Sequence, residues 1–300
     1  MWNTAVLLAG ADPFDLAAAK EVARFGNRRL RTSGDAVHTH ADPFLFAHED
    51  SLYLFLEEQR VAQPGRITAY RTHDLSAFES LGVVLDIAPH ASYPQVFASD
   101  GAIHLLPETH TSGEVALYTF ANFPFAPRKH AVLLSGAYDD PTIVRHEGLW
   151  WLFVSSVAGL ELFYAEEVVG PYARHPVGVI TKASDRARCG GAILSRGGCL
   201  YRPAQDRSDA FARNLSLMKI DELTPTAYRE SAFLPRLFKQ HEPWCEFGGH
   251  HISLAEFGGR TVIAVDGLQL DYWANRPISL TMTTFANSGL SLRSLMGLFG

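Results

Sequence analysis

The feature that most constrains this chain is a repeated pair of apolar runs. Ala41-Asp42-Pro43-Phe44-Leu45-Phe46 leads through His48-Glu49-Asp50 into Leu52-Tyr53-Leu54-Phe55-Leu56-Glu57. Two short apolar runs across a polar turn predict a β-hairpin. The pattern returns as Tyr93-Pro94-Gln95-Val96-Phe97 with Ile103-His104-Leu105-Leu106-Pro107-Glu108, and as Asp140-Pro141-Thr142-Ile143-Val144 with Trp150-Trp151-Leu152-Phe153-Val154-Ser155. It returns again as Gly190-Gly191-Ala192-Ile193-Leu194 with Leu200-Tyr201-Arg202-Pro203-Ala204-Gln205. A looser copy joins His250-His251-Ile252-Ser253-Leu254 to Thr261-Val262-Ile263-Ala264-Val265-Asp266. Leu45 to Glu57, Val96 to Glu108, Ile143 to Ser155 and Ile193 to Gln205 are each 12 residues apart, and Ile252 to Asp266 is longer by two. The copies recur every 47 to 59 residues, near the period of propeller blades. The pattern predicts an all-β fold, a five-bladed β-propeller of four-stranded antiparallel blades starting near residues 41, 92, 139, 189 and 248.

A blade has no core of its own, so residues 1–300 are expected to form a single domain. Within the N-terminal segment, residues 1–40, Asn3 to Ala9 reads as a strand that closes the last blade, and the Ala-rich Asp15 to Arg24 as a short N-terminal helix. The Leu-rich tail at 288–300 is a candidate contact for a partner domain or protein. A 47% hydrophobic content is ample for a core, and a net charge of −6 argues against a nucleic-acid partner. The apolar N-terminal stretch is too short for a membrane span and lacks a charged leader. Three cysteines without CxxC spacing read as reduced thiols, which fits a cytoplasmic location.

Innermost strands of a propeller ring a central channel. Asp42 and Asp140 hold the same place in two copies, and Glu57, Glu108, Ser155 and Gln205 share a second. Carboxylates converging from separate blades can do acid/base work or bind hydroxyls. Asp-Pro is also a common turn element, in which Asp accepts nearby backbone N–H groups. Arg202 is a candidate partner for the glutamates, Trp244 and Tyr93 are candidate stacking faces, and Trp150-Trp151 reads as core with one ring on each side of a sheet. His250 and His251 enter from the last copy. Adjacent strand residues point to opposite faces, so at most one of them faces the channel. No metal is assigned. No phosphate-cradling loop, nucleophile elbow or dinucleotide fingerprint is present, so no cofactor is assigned either.

The Asp-Pro starts resemble the five-bladed propeller glycosidases of the arabinanase, xylosidase and invertase type. Ala41-Asp42-Pro43-Phe44, Phe55-Leu56-Glu57-Glu58, Pro107-Glu108-Thr109 and Leu200-Tyr201-Arg202-Pro203-Ala204-Gln205-Asp206 more closely resemble the propeller at the N-terminus of plant glucosamine inositolphosphorylceramide transferases. The glycosidase resemblance implies Asp42 as catalytic base and Asp140 as the residue that tunes the acid. It also implies an acid from the inner strand of blade four, where this chain has Arg188-Cys189-Gly190-Gly191 and no carboxylate. Such glycosidases hold a channel cation through one histidine, which His250 or His251 would supply. The reading is a sugar-recognising propeller in glycan assembly or modification. Asp42, Glu108 and Asp140 are its candidate catalytic residues, and Glu57, Tyr93, Arg202, Gln205, Trp244, His250 and His251 bind the sugar. Its rivals are an inverting glycoside hydrolase with Asp42 as base and Glu108 as acid, carboxyls roughly 6.5–9.5 Å apart, and a non-catalytic scaffold for a partner glycan enzyme.

Overall fold

The computed structural model describes residues 2–26, 37–60, 63–208, 214–238 and 244–269. The predicted tail contact at 288–300 lies outside them.

The chain opens with β1 (Trp2–Leu8) and β2 (Lys20–Phe25). β3 (Val37–His48), β4 (Ser51–Arg60), β5 (Arg66–Thr72) and β6 (Glu79–Leu85) then form an antiparallel meander. Three separate four-stranded sheets follow. The first holds β7 (Ser92–Ser99), β8 (Ala102–Glu108), β9 (Glu114–Asn122) and β10 (Phe125–Ser135). The second holds β11 (Asp139–His146), β12 (Leu149–Ser156), β13 (Gly159–Ala165) and β14 (Ala173–Thr181). The third holds β15 (Leu194–Arg196), β16 (Cys199–Asp206), β17 (Asn214–Leu223) and β18 (Tyr228–Leu234). The last strands, β19 (Ile252–Phe257) and β20 (Arg260–Leu268), return to the N-terminus. β1 pairs antiparallel with β20 from Trp2↔Leu268 to Leu8↔Val262, so both ends of the described chain share one sheet. A single parallel contact, Trp2↔Thr39, joins that sheet to the β3–β6 meander.

Every hairpin read from the sequence is a strand pair. Trp150 and Trp151 point to opposite faces, one packing with Leu106 and Leu117, the other with Phe44 and Tyr93. Apolar clusters fill the space between successive sheets. Tyr53 and Phe55 meet Val96 and Leu105, and Leu106 and Leu117 meet Ile143 and Leu152. Phe153 and Leu160 meet Cys189 and Ile220, and Leu194 and Leu217 meet Ala5 and Ile252. Val6 and Val262 return to Leu45 and Leu54. Sheets whose faces pack in sequence, with the last against the first, make a β-propeller.

The predicted N-terminal helix is corrected. Only Leu16–Ala18 forms a 3-10 turn, and Lys20–Phe25 is a strand lying along β1 from Leu8↔Lys20 to Thr4↔Phe25. Alanine-rich composition is a weak preference. It yields to the open hydrogen-bonding edge of β1, and Val22 and Phe25 gain a place against the Val6 cluster.

Candidate functional site

The backbone presents three side chains in the same way. In β3 the pairing with β4 jumps from Ala41↔Glu57 to Phe44↔Phe55. β7 jumps from Ser92↔Glu108 to Gln95↔Leu106, and β11 from Asp139↔Ser155 to Thr142↔Phe153. In each gap a residue before proline has a positive φ: Asp42 at 51°, Tyr93 at 48° and Asp140 at 46°. Non-glycine residues rarely adopt this conformation, and its strain concentrates at functional sites. Here it recurs in three successive sheets and turns the side chain out of the ladder.

Around Asp140, charges interlock. Glu108 Oε2 accepts from the Asp140 amide at 2.9 Å and from Arg188 Nη2 at 3.2 Å. Arg188 donates through Nη2 to Asp140 Oδ1 at 3.0 Å and through Nε to Asp140 Oδ2, and its Nη1 lies 3.4 Å from Asp139. Gln205 Nε2 donates to Asp140 Oδ2 and to the Cys189 carbonyl, both at 2.7 Å. Burial, then the charge of Asp140, pushes Glu108 well above the usual carboxylate range. Burial also raises Asp140, but the Arg188 charge and hydrogen bonds outweigh it and hold Asp140 low. The two neighbouring carboxyls are therefore driven apart in proton affinity, Glu108 upward and Asp140 downward.

Around Asp42, the organiser is Asp266. Its Oδ1 accepts from the amides of His250 at 2.9 Å and His251 at 3.0 Å, and its Oδ2 from the Asp42 amide at 3.2 Å. His250 Nδ1 lies 2.6 Å from Asp266 Oδ2, its Nε2 3.7 Å from Asp42 Oδ1, and its ring stacks on Trp2 at 4.4 Å. Burial opposes charge on His250, but Asp266 and then Asp42 carry it up to about 9. Burial, with Asp140 and Asp266 nearby, pushes Asp42 to about 7. Glu57 goes to about 8 by burial and then by Asp42. The amide of Gly65 donates to His90 Nδ1 at 2.8 Å, so the proton sits on Nε2, which faces Glu57 Oε1 at 3.5 Å. Asp42, His250 and Asp266 each offer a donor atom within 4.8 Å of the others. Two carboxylates and one imidazole suit a divalent cation, which would replace the proton on His250.

The structure thus brings together Asp42, Glu57, Glu108, Asp140, Gln205 and His250. They are nearly closed to solvent: the Asp42 and Glu108 side chains are 9% and 10% exposed, while Arg188 is 19% and Asp139 27%. Tyr93 is fully buried. Its amide donates to Asp42 at 3.3 Å and its hydroxyl joins Thr142 to the Gly191 amide, both at 2.8 Å, so it braces the site and offers no stacking face. Both histidines are buried. His251 lies edge-on to Phe44 and Tyr93, and burial pushes it down to about 3.

Two expected binders lie elsewhere. Arg202 is fully buried and forks onto Glu230 at 2.7 and 2.9 Å, away from Glu57 and Glu108. Gln205 is three positions further on, which puts the two on opposite faces of β16. Trp244 is 3% exposed and packs on Phe238, inside the core. Sequence reasoning passed over Arg188 and Asp266. Asp266 holds the strand-end place of Glu57 and Glu108, displaced by the two-residue lengthening of the last copy. Arg188 had no such signal: it lies in the irregular segment before β15, six residues ahead of the strand's first residue.

Comparison with known proteins fits this architecture. The model of the family "Glucosamine inositolphosphorylceramide transferase 1, N-terminal" matches residues 26–267. Glucosamine inositolphosphorylceramide transferase 1 of Oryza sativa subsp. japonica is 35% identical over 243 residues, 76% of this chain and 33% of that protein. The Arabidopsis thaliana protein of that name is 34% identical over 76% of this chain and 32% of its own length. The chain spans about a third of the length of these relatives. Among solved structures, the α-L-arabinofuranosidase CtGH43 of Clostridium thermocellum aligns at a TM-score of 0.59 and 14% identity, over 75% of this chain and 81% of its own. A putative glycosidase of Bacteroides thetaiotaomicron aligns at 0.59 and 12%, over 78% and 87%. At such identities the likeness concerns the fold. With more than half of its residues matched by the family model, the chain belongs to the glucosamine inositolphosphorylceramide transferase 1 N-terminal family.

Proposed function

We propose that this chain is a five-bladed propeller domain that binds a sugar at its central site and works in glycan assembly or modification. A count of five is supported by dividing the sheet that contains both ends of the described chain at its parallel contact, which leaves β3–β6 and β19-β20-β1-β2 as separate blades. The observation that carries the function is the pairing of Asp42 and Asp140. They lie in different blades at matching strained positions, and the charge of Asp140 raises the proton affinity of Asp42 through space. Carboxylates and an amide that are fixed before a ligand arrives can accept and donate bonds to hydroxyls without reordering. Membership of a family named for a glycosyl-carrying transferase supports the same reading.

Binding is favoured over hydrolysis by Arg188. It stands in the strand start that the glycosidase resemblance assigns to the acid, and it ties Glu108 to Asp140. The hydrolytic reading keeps one specific support, the raised proton affinity of Glu108, which suits a general acid. A glycan array read beside an aryl-glycoside assay separates them. Array signal without turnover, lost in Asp42→Asn, is the expected result. Turnover abolished by both Asp42→Asn and Glu108→Gln would establish the hydrolase, and silence in both assays would refute a sugar site.

A further inference from the structure

A second site lies on the outer face, between the sheets β11–β14 and β15–β18. Strands β14, β17 and β18 enclose a cleft of about 420 Å³. That is the size range of small-ligand pockets. Its apolar lining is Val177, Ile180 and Met218, and Arg186 and Arg229 stand on it from different segments.

The charges of this cleft are unequally committed. Glu230, on the wall, is consumed by the buried Arg202 fork and by the Tyr228 hydroxyl at 2.6 Å. Burial raises Glu230, but Arg202 overrides it and holds the carboxylate ionised, so this pair is locked and neutral in sum. Arg186 and Arg229 are held far more loosely. Arg186 Nε is 3.7 Å from Asp185, and Arg229 Nη1 is 3.6 Å from Glu222. Both contacts exceed hydrogen-bond length and both are exposed to water, where such pairs contribute little. Two guanidiniums therefore stand on the lining of one apolar hollow, with carboxylate contacts longer than hydrogen bonds. A guanidinium prefers planar, bidentate bonding to an oxyanion.

We propose that this cleft binds a phosphate- or carboxylate-type anion carried on an apolar body, with Arg186 and Arg229 clasping the anion and Val177, Ile180 and Met218 covering the apolar part. The lining of this cleft shares no residue with the central site. Monomeric octyl phosphate is a direct probe, with inorganic phosphate and octyl glucoside as its two halves. On titration into the intact chain, the methyl resonance of Met218 is expected to shift saturably with octyl phosphate. Affinity is expected to be about tenfold or more above either control, and to fall about tenfold or more in Arg186→Gln/Arg229→Gln. Both substitutions are at exposed side chains, so an unchanged unfolding midpoint certifies the variant. Equal affinity for octyl glucoside, a silent Met218, or a double variant that binds as well as the parent would overturn the proposal. Vesicles containing phosphatidic acid separate the sources of the anion. Sedimentation lost in the double variant assigns a membrane lipid, and octyl phosphate binding without sedimentation assigns a soluble ligand.

Discussion

Glu57 shows how much a single buried proton matters here. Its folded-state affinity is raised to about 8 from an ordinary 4.5. An acid whose affinity is raised on folding binds more protons folded than unfolded, so its stabilising contribution is complete below 4.5 and is lost as pH climbs through about 8. Glu57→Gln keeps the shape and removes the titration. Urea unfolding at pH 5, 7 and 9 is expected to show the parent losing stability towards pH 9 more steeply than the variant; parallel profiles would contradict the assignment. Arg188 is the complementary case. Removing it in Arg188→Met strands Asp140 without its counter-charge, and the expected cost is about 3 kcal/mol or more in denaturant unfolding. A loss below about 1 kcal/mol would mean that the contact is merely a surface pair. These residues also mark the limit of sequence reading. Asp42, Glu108, Asp140 and Gln205 were legible because their spacing repeats. Arg202 misled because an arginine in a strand declares its charge but not its face, and its partner, Glu230, lies 28 residues on.

At the scale of elements, the hairpins followed from paired apolar runs across polar turns, down to the opposed rings of Trp150 and Trp151. The segment Asp15–Arg24 did not, since its fate depends on an edge supplied by a strand that itself pairs with the far end of the chain. Glycine gives a sharper test of element packing. Gly191 has φ 136°, and a Cβ there would lie 2.0 Å from the Ile252 carbonyl oxygen, where two sheets meet. Beside it, the Gly190 carbonyl accepts from the Ile252 amide at 2.9 Å. Gly198, in the β15–β16 turn, has φ 76° and open space around it. Gly198→Ala should cost about 1–2 kcal/mol, the left-handed penalty alone. Gly191→Ala should cost clearly more in the same unfolding assay, because backbone must move; equal costs would show that the inter-sheet contact yields easily.

For the molecule as a whole, closure brings the two ends of the described chain to the central site. β1 buries Ala5, Val6 and Leu7 at 2% exposure or less, and it carries Trp2 beneath the His250 ring. Deleting residues 1–9 exposes the β20 edge and removes that apolar area, a loss on the order of 5 kcal/mol. A broad, low-temperature melt is expected in calorimetry, and a deletion that melts as sharply as the parent would refute closure by the N-terminal strand. Closure also sets Asp266 of β20 against Asp42 of β3, which no local sequence pattern announces.

What occupies the centre decides the function of this propeller. A crystal structure of the chain with its strongest glycan-array ligand is the most direct measurement. The sugar should lie between Asp42 and Asp140, with Gln205 and Arg188 within hydrogen-bonding reach. A sugar seated on the outer face, with the central side chains bonded only to one another, would contradict it.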